Sequence, residues 1–321
     1  GSKPFYHSKD CCRYQQWKGK NGTCDEMPRV LLLTWQTERS YSQFRNEVYW
    51  KACYAHSHGY DLMLVDPFNT TEHILWYKHS HQWQWWSIAQ EQLPKYDYVF
   101  VTDSDVLFSE YWLPFPLWAY DETGQHDISI MDQCYSDWGL NENGILFRSS
   151  NWSVEFIKQG LALKAMQPLQ GDNGGWMEQI LKALGREAEA RHERGYNSEC
   201  LPKLLLPGVL ITYVTRADSW YAEKNSEYSR CFFSELDRLV GPQGQRRSEH
   251  IHFTEVKDAS DRFLDFSMPW ANCWSLLRDS WYGRACRGDT DYKRSCFTFH
   301  FDGHWKMDEN HHDITGVCPD P

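Results

Sequence analysis

The sequence lacks any long apolar run. No stretch of its 321 residues reaches the roughly 18 consecutive apolar residues that a membrane-spanning helix needs. Positive charge is also scarce, because 33 lysines and arginines stand against 44 aspartates and glutamates. The formal net charge of -11 removes the attraction that nucleic acid or an anionic membrane surface requires, so we expect no nucleic-acid partner.

Paired C-x-x-C units are missing as well, although the chain has 11 cysteines. Structural zinc sites use such pairs, so disulfides are the better interpretation. Three Asn-x-Ser/Thr sequons, at Asn21, Asn69 and Asn151, agree with passage through the secretory pathway. The opening Gly1-Ser2 pair resembles a cloning remnant. We therefore expect a type II membrane protein of the Golgi or ER lumen, anchored by an N-terminal segment ahead of this sequence, or a secreted protein.

Tryptophan is unusually abundant, with 17 residues. An indole ring is seldom wholly buried, and its N–H group needs a hydrogen-bond partner. Sugar-stacking surfaces and an aromatic core both remain open as explanations.

Strand and helix patterns alternate along the chain, with no internal repeat or low-complexity tract. Short apolar runs predict strands at 30–34, 62–65, 98–102, 127–131 and 144–148. Helical patterns cover 42–57, 78–92, 152–164 and 174–184. This order predicts an α/β fold with a mainly parallel sheet flanked by helices, whose ligands bind beyond the carboxyl ends of the strands. From 190 onward, six of the 11 cysteines and few periodic runs predict an irregular, disulfide-bearing C-terminal half.

The strongest local signal is Asp103-Ser104-Asp105, which follows an apolar strand. Residues two apart in a strand share a face, so both carboxylates can point into one cleft. Two buried anions need a counter-charge, and a divalent cation supplies it. Oxygen ligands favour magnesium or manganese. The alternative is a solvated Asp-Ser-Asp turn.

A second signal is the segment HFDGHWK at 300–306. The neutral imidazole of His300 can complete the shell of a metal ion, Gly303 allows close approach of the backbone to phosphates, and Lys306 offsets phosphate charge. His300 is preferred over His304 because of its spacing from the glycine alone. The histidines of this region could also form a solvated surface.

Together the two motifs resemble retaining glycosyltransferases of the glycogenin type, in which a D-x-D precedes a distant H-F-x-G-x-x-K. Further segments are similar to the yeast galactosyltransferase and plant xyloglucan xylosyltransferase family: VLLLTWQ at 30–36, GYD at 59–61, WYK at 76–78 and LNENGILFR at 140–148. The resemblance covers about residues 29–184 and 297–306. It implies the GT-A fold, a manganese ion with magnesium as a second choice, a UDP-sugar donor and retention of anomeric configuration.

The resemblance also implies roles for individual residues. The metal ligands would be Asp103, Asp105 and His300. The nucleotide and its diphosphate would be bordered by Thr34, Trp35, Gln36, Lys78, Ser104, Gly303 and Lys306. The residues beside the transferred sugar would be Asp172 and Asn173, in the place of the family's Asp-Gln pair, together with Asn141 or Asn143.

Two departures from the family pattern leave the specificity open. Asn173 stands where the family has Gln, and the Asn-x-Gly element is one residue longer, so either Asn141 or Asn143 takes its role. Galactose is the first choice of sugar, with glucose or xylose behind it. Asp172 would position sugar hydroxyls, and it can also be the N-cap of a helix starting near Gly174.

On this basis the chain divides into an irregular segment at 1–28 and one catalytic domain at 29–321. Residues 29–184 would bind the nucleotide sugar, and 185–321 would bind a glycan or glycoprotein acceptor and close the metal site. Two rivals remain. A haloacid-dehalogenase-type phosphohydrolase also places D-x-D after a strand and uses the first Asp as nucleophile. A non-catalytic secreted carbohydrate-binding protein would need no metal triad.

Overall fold

A computed structural model describes the chain at residues 28–35, 45–65, 82–102, 106–108, 115, 125–131, 140, 144–166, 172–190, 198–204, 219–254 and 298–300. The predicted leader at 1–28 lies almost wholly outside these ranges. None of the described helices is long and apolar enough to cross a membrane.

A six-stranded sheet forms the centre of the fold. Its strands are β1 (Val30–Trp35), β2 (Asp61–Val65), β3 (Tyr98–Thr102), β5 (Ile128–Met131), β6 (Ile145–Arg148) and β7 (Ile251–Thr254), in the spatial order β2-β1-β3-β6-β5-β7. Five strands run in one direction, and β6 alone is antiparallel to its neighbours β3 and β5. The predicted mainly parallel α/β sheet is therefore confirmed. A separate two-stranded sheet pairs β4 (Val106–Phe108) with β8 (Thr298–His300).

Helices cover the sheet and pack against one another. They are α1 (Arg45–His58), α2 (Gln82–Gln92), α3 (Asn151–Ala162), α4 (Asp172–Ala190), the short α5 (Leu201–Leu204) and α6 (Ser219–Val240). Short 3-10 turns follow α2 at Leu93–Lys95 and α3 at Leu163–Met166. Helix α2 contacts β1, β3 and α3, while α3 contacts α4, and α4 contacts α6. This layer encloses the main hydrophobic core.

Both faces of the central strands are buried, which explains their continuous apolar sequence. Leu31 and Leu33 of β1 belong to the main core, whereas Leu32, which points the other way, is also fully buried. On β3, the ring of Phe100 packs edge-on against Phe115, with 4.6 Å between ring centroids. Strands buried on both faces read as uninterrupted apolar runs, which is why these strands were predictable from sequence.

Tryptophans form the centre of the helical layer. Trp83, Trp85, Trp86 and Trp176 are each at most 2% exposed. The Trp86 ring lies 5.4 Å from Trp176 and 4.9 Å from Trp85, measured between ring centroids. For these four residues, the aromatic core is the correct explanation of the high tryptophan content.

The C-terminal half is more regular than the sequence indicated. It contains α6, a helix of 22 residues. Tyr228, Phe232 and Leu236 are fully buried at spacings of four, as on one helical face. Polar residues on α6, Asn225 and Ser229, are buried as well, and they interrupt the apolar stripe that sequence reading relies on. The prediction of an irregular segment was therefore wrong for residues 219–240.

Strand pairing joins this half to the rest of the fold, and a disulfide lies within it. Strand β7 pairs in parallel with β5, so residues beyond 185 complete the central sheet. A disulfide links Cys200 to Cys231 on α6, and Cys53 on α1 is also disulfide-bonded. The expectation of disulfides is confirmed at these cysteines.

Close helix packing at Gly160 supplies a stability test. A Cβ atom on Gly160 of α3 would lie 2.4 Å from the fully buried ring of Trp86. Overpacking a rigid site costs about 1–3 kcal/mol, while alanine gains roughly 1 kcal/mol over glycine in a helix. We expect Gly160→Ala to lower the free energy of unfolding by about 1 kcal/mol in urea titrations.

The Trp86→Phe variant is the matched background for this experiment. It removes the ring atoms that the new methyl group would meet, so the cost of Gly160→Ala should shrink there. Equal costs in both backgrounds would show that the contact with Trp86 is not the cause.

Candidate functional site

The carboxyl ends of β1 and β3 lie side by side. The strands are parallel, and Thr34 pairs with Thr102 in the register. In the sequence Gln36 follows β1 and Asp103 follows β3, and both strands end at the same edge of the sheet. We call this the carboxyl edge. It is the edge at which open α/β sheets bind their ligands.

Thr34 carries an unpaired polar atom at this edge. Its side chain is fully buried, and its Oγ1 has no hydrogen-bond partner in the described part of the chain. A buried hydroxyl without a partner costs free energy, so such a group is expected where a ligand supplies the missing bond. Thr34 is one of the residues that the resemblance assigns to the nucleotide.

The turn before β6 reaches the same edge. Because β6 is antiparallel to β3, its first residue, Ile145, lies opposite Val101. The backbone N–H of Gly144 donates to the carbonyl of Val101 at 3.1 Å, and Gly144 has a φ of 76°. That left-handed conformation favours glycine. The glycine of the Asn-Glu-Asn-Gly element is thus held by a hydrogen bond to Val101, which precedes Asp103 by two positions in sequence.

Helix α4 contacts the start of this element. The backbone N–H of Leu140 donates to Met177 Sδ at 3.2 Å, in the second turn of α4. Asp172 is the first helical residue and Asn173 the second. The helix therefore begins two residues earlier than predicted, and Asp172 lies in its first turn rather than at a cap before Gly174.

The pairing of β4 with β8 places the backbone of His300 beside the strand that follows β3 in sequence. Three residues separate the end of β3 from the start of β4, and Val106 is the register partner of His300. Val106 directly follows Asp105 in sequence. The backbone of His300 therefore lies opposite the residue next to the D-x-D motif.

Several predicted site residues lie outside the described residues: Gln36, Lys78, Asp103, Ser104, Asp105, Asn141, Asn143, Gly303 and Lys306. For Trp35, Asp172 and His300 the structure describes the backbone only. Within the described ranges, no group of three or more His, Cys, Asp or Glu side chains could hold a metal ion. The assigned metal ligands therefore stay predictions.

Sequence reasoning missed one buried acid near this site. Glu178 of α4 is fully buried, and Ser198 Oγ donates to its Oε2 at 3.1 Å. Burial raises the pKa of Glu178 from its ordinary 4.5 to about 7, and the nearby Glu235 acts in the same direction. The hydrogen bond from Ser198 and the charge of Lys182 oppose this rise. The available signal was the apolar sequence around it, because Trp176, Met177, Ile180 and Leu181 point in several directions from the helix and a helix that is apolar on several sides is buried.

The solved structures that resemble the chain include three of glycosyltransferases. A glycosyltransferase involved in the glycosylation of the major capsid of PBCV-1 has 14% sequence identity and a TM-score of 0.38, over 56% of this chain and 79% of that chain. GlyE of Streptococcus pneumoniae TIGR4 has 12% identity, a TM-score of 0.32, and coverage of 69% of this chain and 66% of that one. The apo form of GlyE has 12% sequence identity and a TM-score of 0.30, over 68% of this chain and 66% of that one.

No protein-family model and no curated protein sequence matches the chain. Structural similarity of this extent assigns no activity to the chain.

Ionisation of Glu178 makes stability depend on pH. The folded state keeps a proton on this carboxyl up to about pH 7, whereas the unfolded state loses it near 4.5. Stability therefore falls as pH rises from 4.5 to 7, and the full cost, on the order of 3 kcal/mol, applies above that window. We expect Glu178→Gln to raise the free energy of unfolding at pH 8, with no gain at pH 4.5.

Urea titrations at both pH values measure this difference. Glu223→Gln is the control, since Glu223 is an exposed glutamate on α6. The same gain at pH 4.5 and pH 8, or a gain in the Glu223 variant, would contradict a cost of ionisation at Glu178.

Proposed function

We propose that this chain is a metal-dependent, retaining glycosyltransferase that moves a hexose or pentose from a UDP-sugar to a glycan or glycoprotein acceptor. Galactose is the first choice of sugar. The observation that carries the proposal is the pairing of Val106 with His300. It joins the two motifs that a nucleotide-sugar transferase of this kind needs, although they lie almost 200 residues apart in sequence.

The donor set fits manganese or magnesium. Directly opposed residues in antiparallel strands have Cα atoms about 4.5–5.5 Å apart, so a sequence neighbour of Asp105 lies within side-chain reach of His300. Two carboxylates and an imidazole, Asp103, Asp105 and His300, suit a divalent cation with oxygen and nitrogen ligands. When bound, the cation supplies counter-charge for the diphosphate leaving group.

The other residues of the chain would bind and orient the substrates. Thr34 would donate or accept a hydrogen bond through its unpaired Oγ1 at the nucleotide, and Lys306 would offset phosphate charge. Asp172 and Asn173, in the first turn of α4, would hydrogen-bond hydroxyls of the transferred sugar. Holding the acceptor hydroxyl near the anomeric carbon lowers the entropic part of the barrier.

Retention needs either a carboxylate nucleophile or attack on the face that the leaving group occupies. The sequence offers no evident nucleophile, so same-face attack is the proposed route. In that route Asp172 positions the sugar without bonding to it.

The phosphohydrolase alternative is less favoured by the topology. In that class the aspartate pair follows the first strand, whereas here it follows β3, the third strand in chain order.

The disulfide between Cys200 and Cys231 supports an oxidising compartment, and hence the proposed lumenal or secreted location.

Metal-dependent release of UDP is the decisive activity test. We expect manganese-dependent UDP release from at least one of UDP-galactose, UDP-glucose and UDP-xylose, and a loss of about 100-fold or more in Asp103→Asn, because leaving-group stabilisation is removed. A panel of UDP- and GDP-sugars gives the donor preference.

Asp97→Asn is the matched control, since Asp97 lies at the other end of β3 and accepts a hydrogen bond from the Arg29 backbone. Phosphate release without UDP release would indicate the phosphohydrolase. Sugar binding without turnover would indicate the carbohydrate-binding protein.

The histidine assignment has its own test. We expect His300→Ala to raise the manganese concentration for half-maximal activity by about tenfold or more, because a metal ligand is lost. His304→Ala should leave that concentration unchanged. The reverse result would transfer the role to His304 and contradict the assignment, which was drawn from the spacing to Gly303 and which the β4–β8 register supports.

A further inference from the structure

A pocket of about 660 Å³ lies at the other edge of the central sheet. It is bounded by α3, the last turns of α4 and the turn at 247–250, and we call it the amino-edge pocket. Residue 250 precedes β7, and α3 follows the carboxyl end of the reversed strand β6. The pocket therefore opens at the amino ends of the parallel strands, away from the proposed donor site.

Charged residues fix the strands that form this edge. Asp127, just before β5, is buried between Arg148 and His250. Arg148 Nη2 lies 3.0 Å from Asp127 Oδ1, and His250 Nδ1 lies 2.6 Å from Oδ2. The His250 ring is thereby held in one orientation at the pocket wall.

Aromatic rings form one side of the pocket. The Trp152 ring stacks on His250 with 4.5 Å between centroids and 14° between planes. Phe156 lies 5.1 Å from Trp152 on α3. Ala183 of α4 adds a further apolar surface. A ligand here meets apolar carbon on one side.

Two carboxylates in the walls are already engaged by the protein. Gln159 Nε2 donates to Glu155 at 2.9 Å, and Arg186 in turn donates to Gln159. Across the pocket, Ser248 Oγ donates to Glu187 at 2.8 Å. These hydrogen bonds join α3, α4 and the turn, so the walls are preorganised.

Other polar groups of the lining have hydrogen-bonding capacity that the rest of the described structure does not use. Arg186 Nη2 and Arg247 Nη2 donate no hydrogen bond within the described residues, and the carboxylate of Glu249 accepts none there. Free donors and a free acceptor thus line one cavity. A hydroxyl group both donates and accepts, so it matches such a mixture.

The charge and the volume of the pocket restrict the class of ligand further. Two guanidinium groups and three carboxylates line the pocket, so neither a strongly anionic nor a strongly cationic ligand gains a large electrostatic attraction. Its volume falls within the range of about 300–1,000 Å³ that small-ligand sites occupy. From these observations we propose that the amino-edge pocket is a binding site for a neutral saccharide, held by apolar contact with Trp152 and by hydrogen bonds from Arg247 and Arg186.

Binding is tested without turnover, by saturation-transfer NMR on the whole chain. The probes are neutral tetrasaccharides ending in galactose, glucose or xylose, with no nucleotide or metal added. We expect at least one to bind and Arg247→Met to weaken it by about tenfold, since hydrogen bonds to charged groups are the stronger ones. Arg230→Met is the matched control, because Arg230 is an exposed arginine on α6 that does not line the pocket.

The Asp103→Asn variant should bind the tetrasaccharide as tightly as the unsubstituted chain does. Failure of the proposed activity and failure of this binding site can therefore be distinguished. Absence of binding up to about 10 mM would overturn the proposal. So would binding that Arg247→Met leaves unchanged, or binding of inorganic sulfate in place of the saccharides.

Discussion

The pairing of β4 with β8 is the interaction on which the candidate site depends. It is a short contact, three residues on each side, between segments almost 200 residues apart in sequence. Closing so long a loop costs conformational entropy, which the rest of the fold must offset through burial. The central sheet does this by fixing β3, from which β4 continues after three residues. A rigid carboxyl edge is therefore the precondition for setting the backbone of His300 opposite Val106, the residue that follows the D-x-D motif in sequence.

Sequence was most informative where a strand is buried on both faces. The apolar runs of β1 and β3 identified those strands, because no solvent-facing residue interrupts them. It was least informative for α6, whose buried face mixes Tyr228 and Phe232 with Asn225 and Ser229. The start of α4 was also misplaced, since Gly174 resembles a helix boundary and yet lies inside the helix.

The candidate site divides in a similar way. Asp103 and Asp105 were predicted as metal ligands because carboxylates after an apolar strand need a counter-charge, and that assignment stays a prediction because both lie outside the described residues. The register that sets Val106 opposite His300 was not predictable, since pairing between distant strands is decided by tertiary packing. Glu178 escaped notice for a related reason: an acid within a helical sequence resembles a surface residue until its neighbours are known.

Strand β6 has a consequence for both edges of the molecule. It enters the sheet at Gly144, which is hydrogen-bonded to Val101, and it leaves at Arg148, which binds Asp127. A shift of one residue in its register would reverse the direction of every side chain on the strand and move both ends at once. The length and register of this short reversed strand therefore set two positions at once. One is the turn at Gly144, at the carboxyl edge, and the other is the Asp127 ion pair.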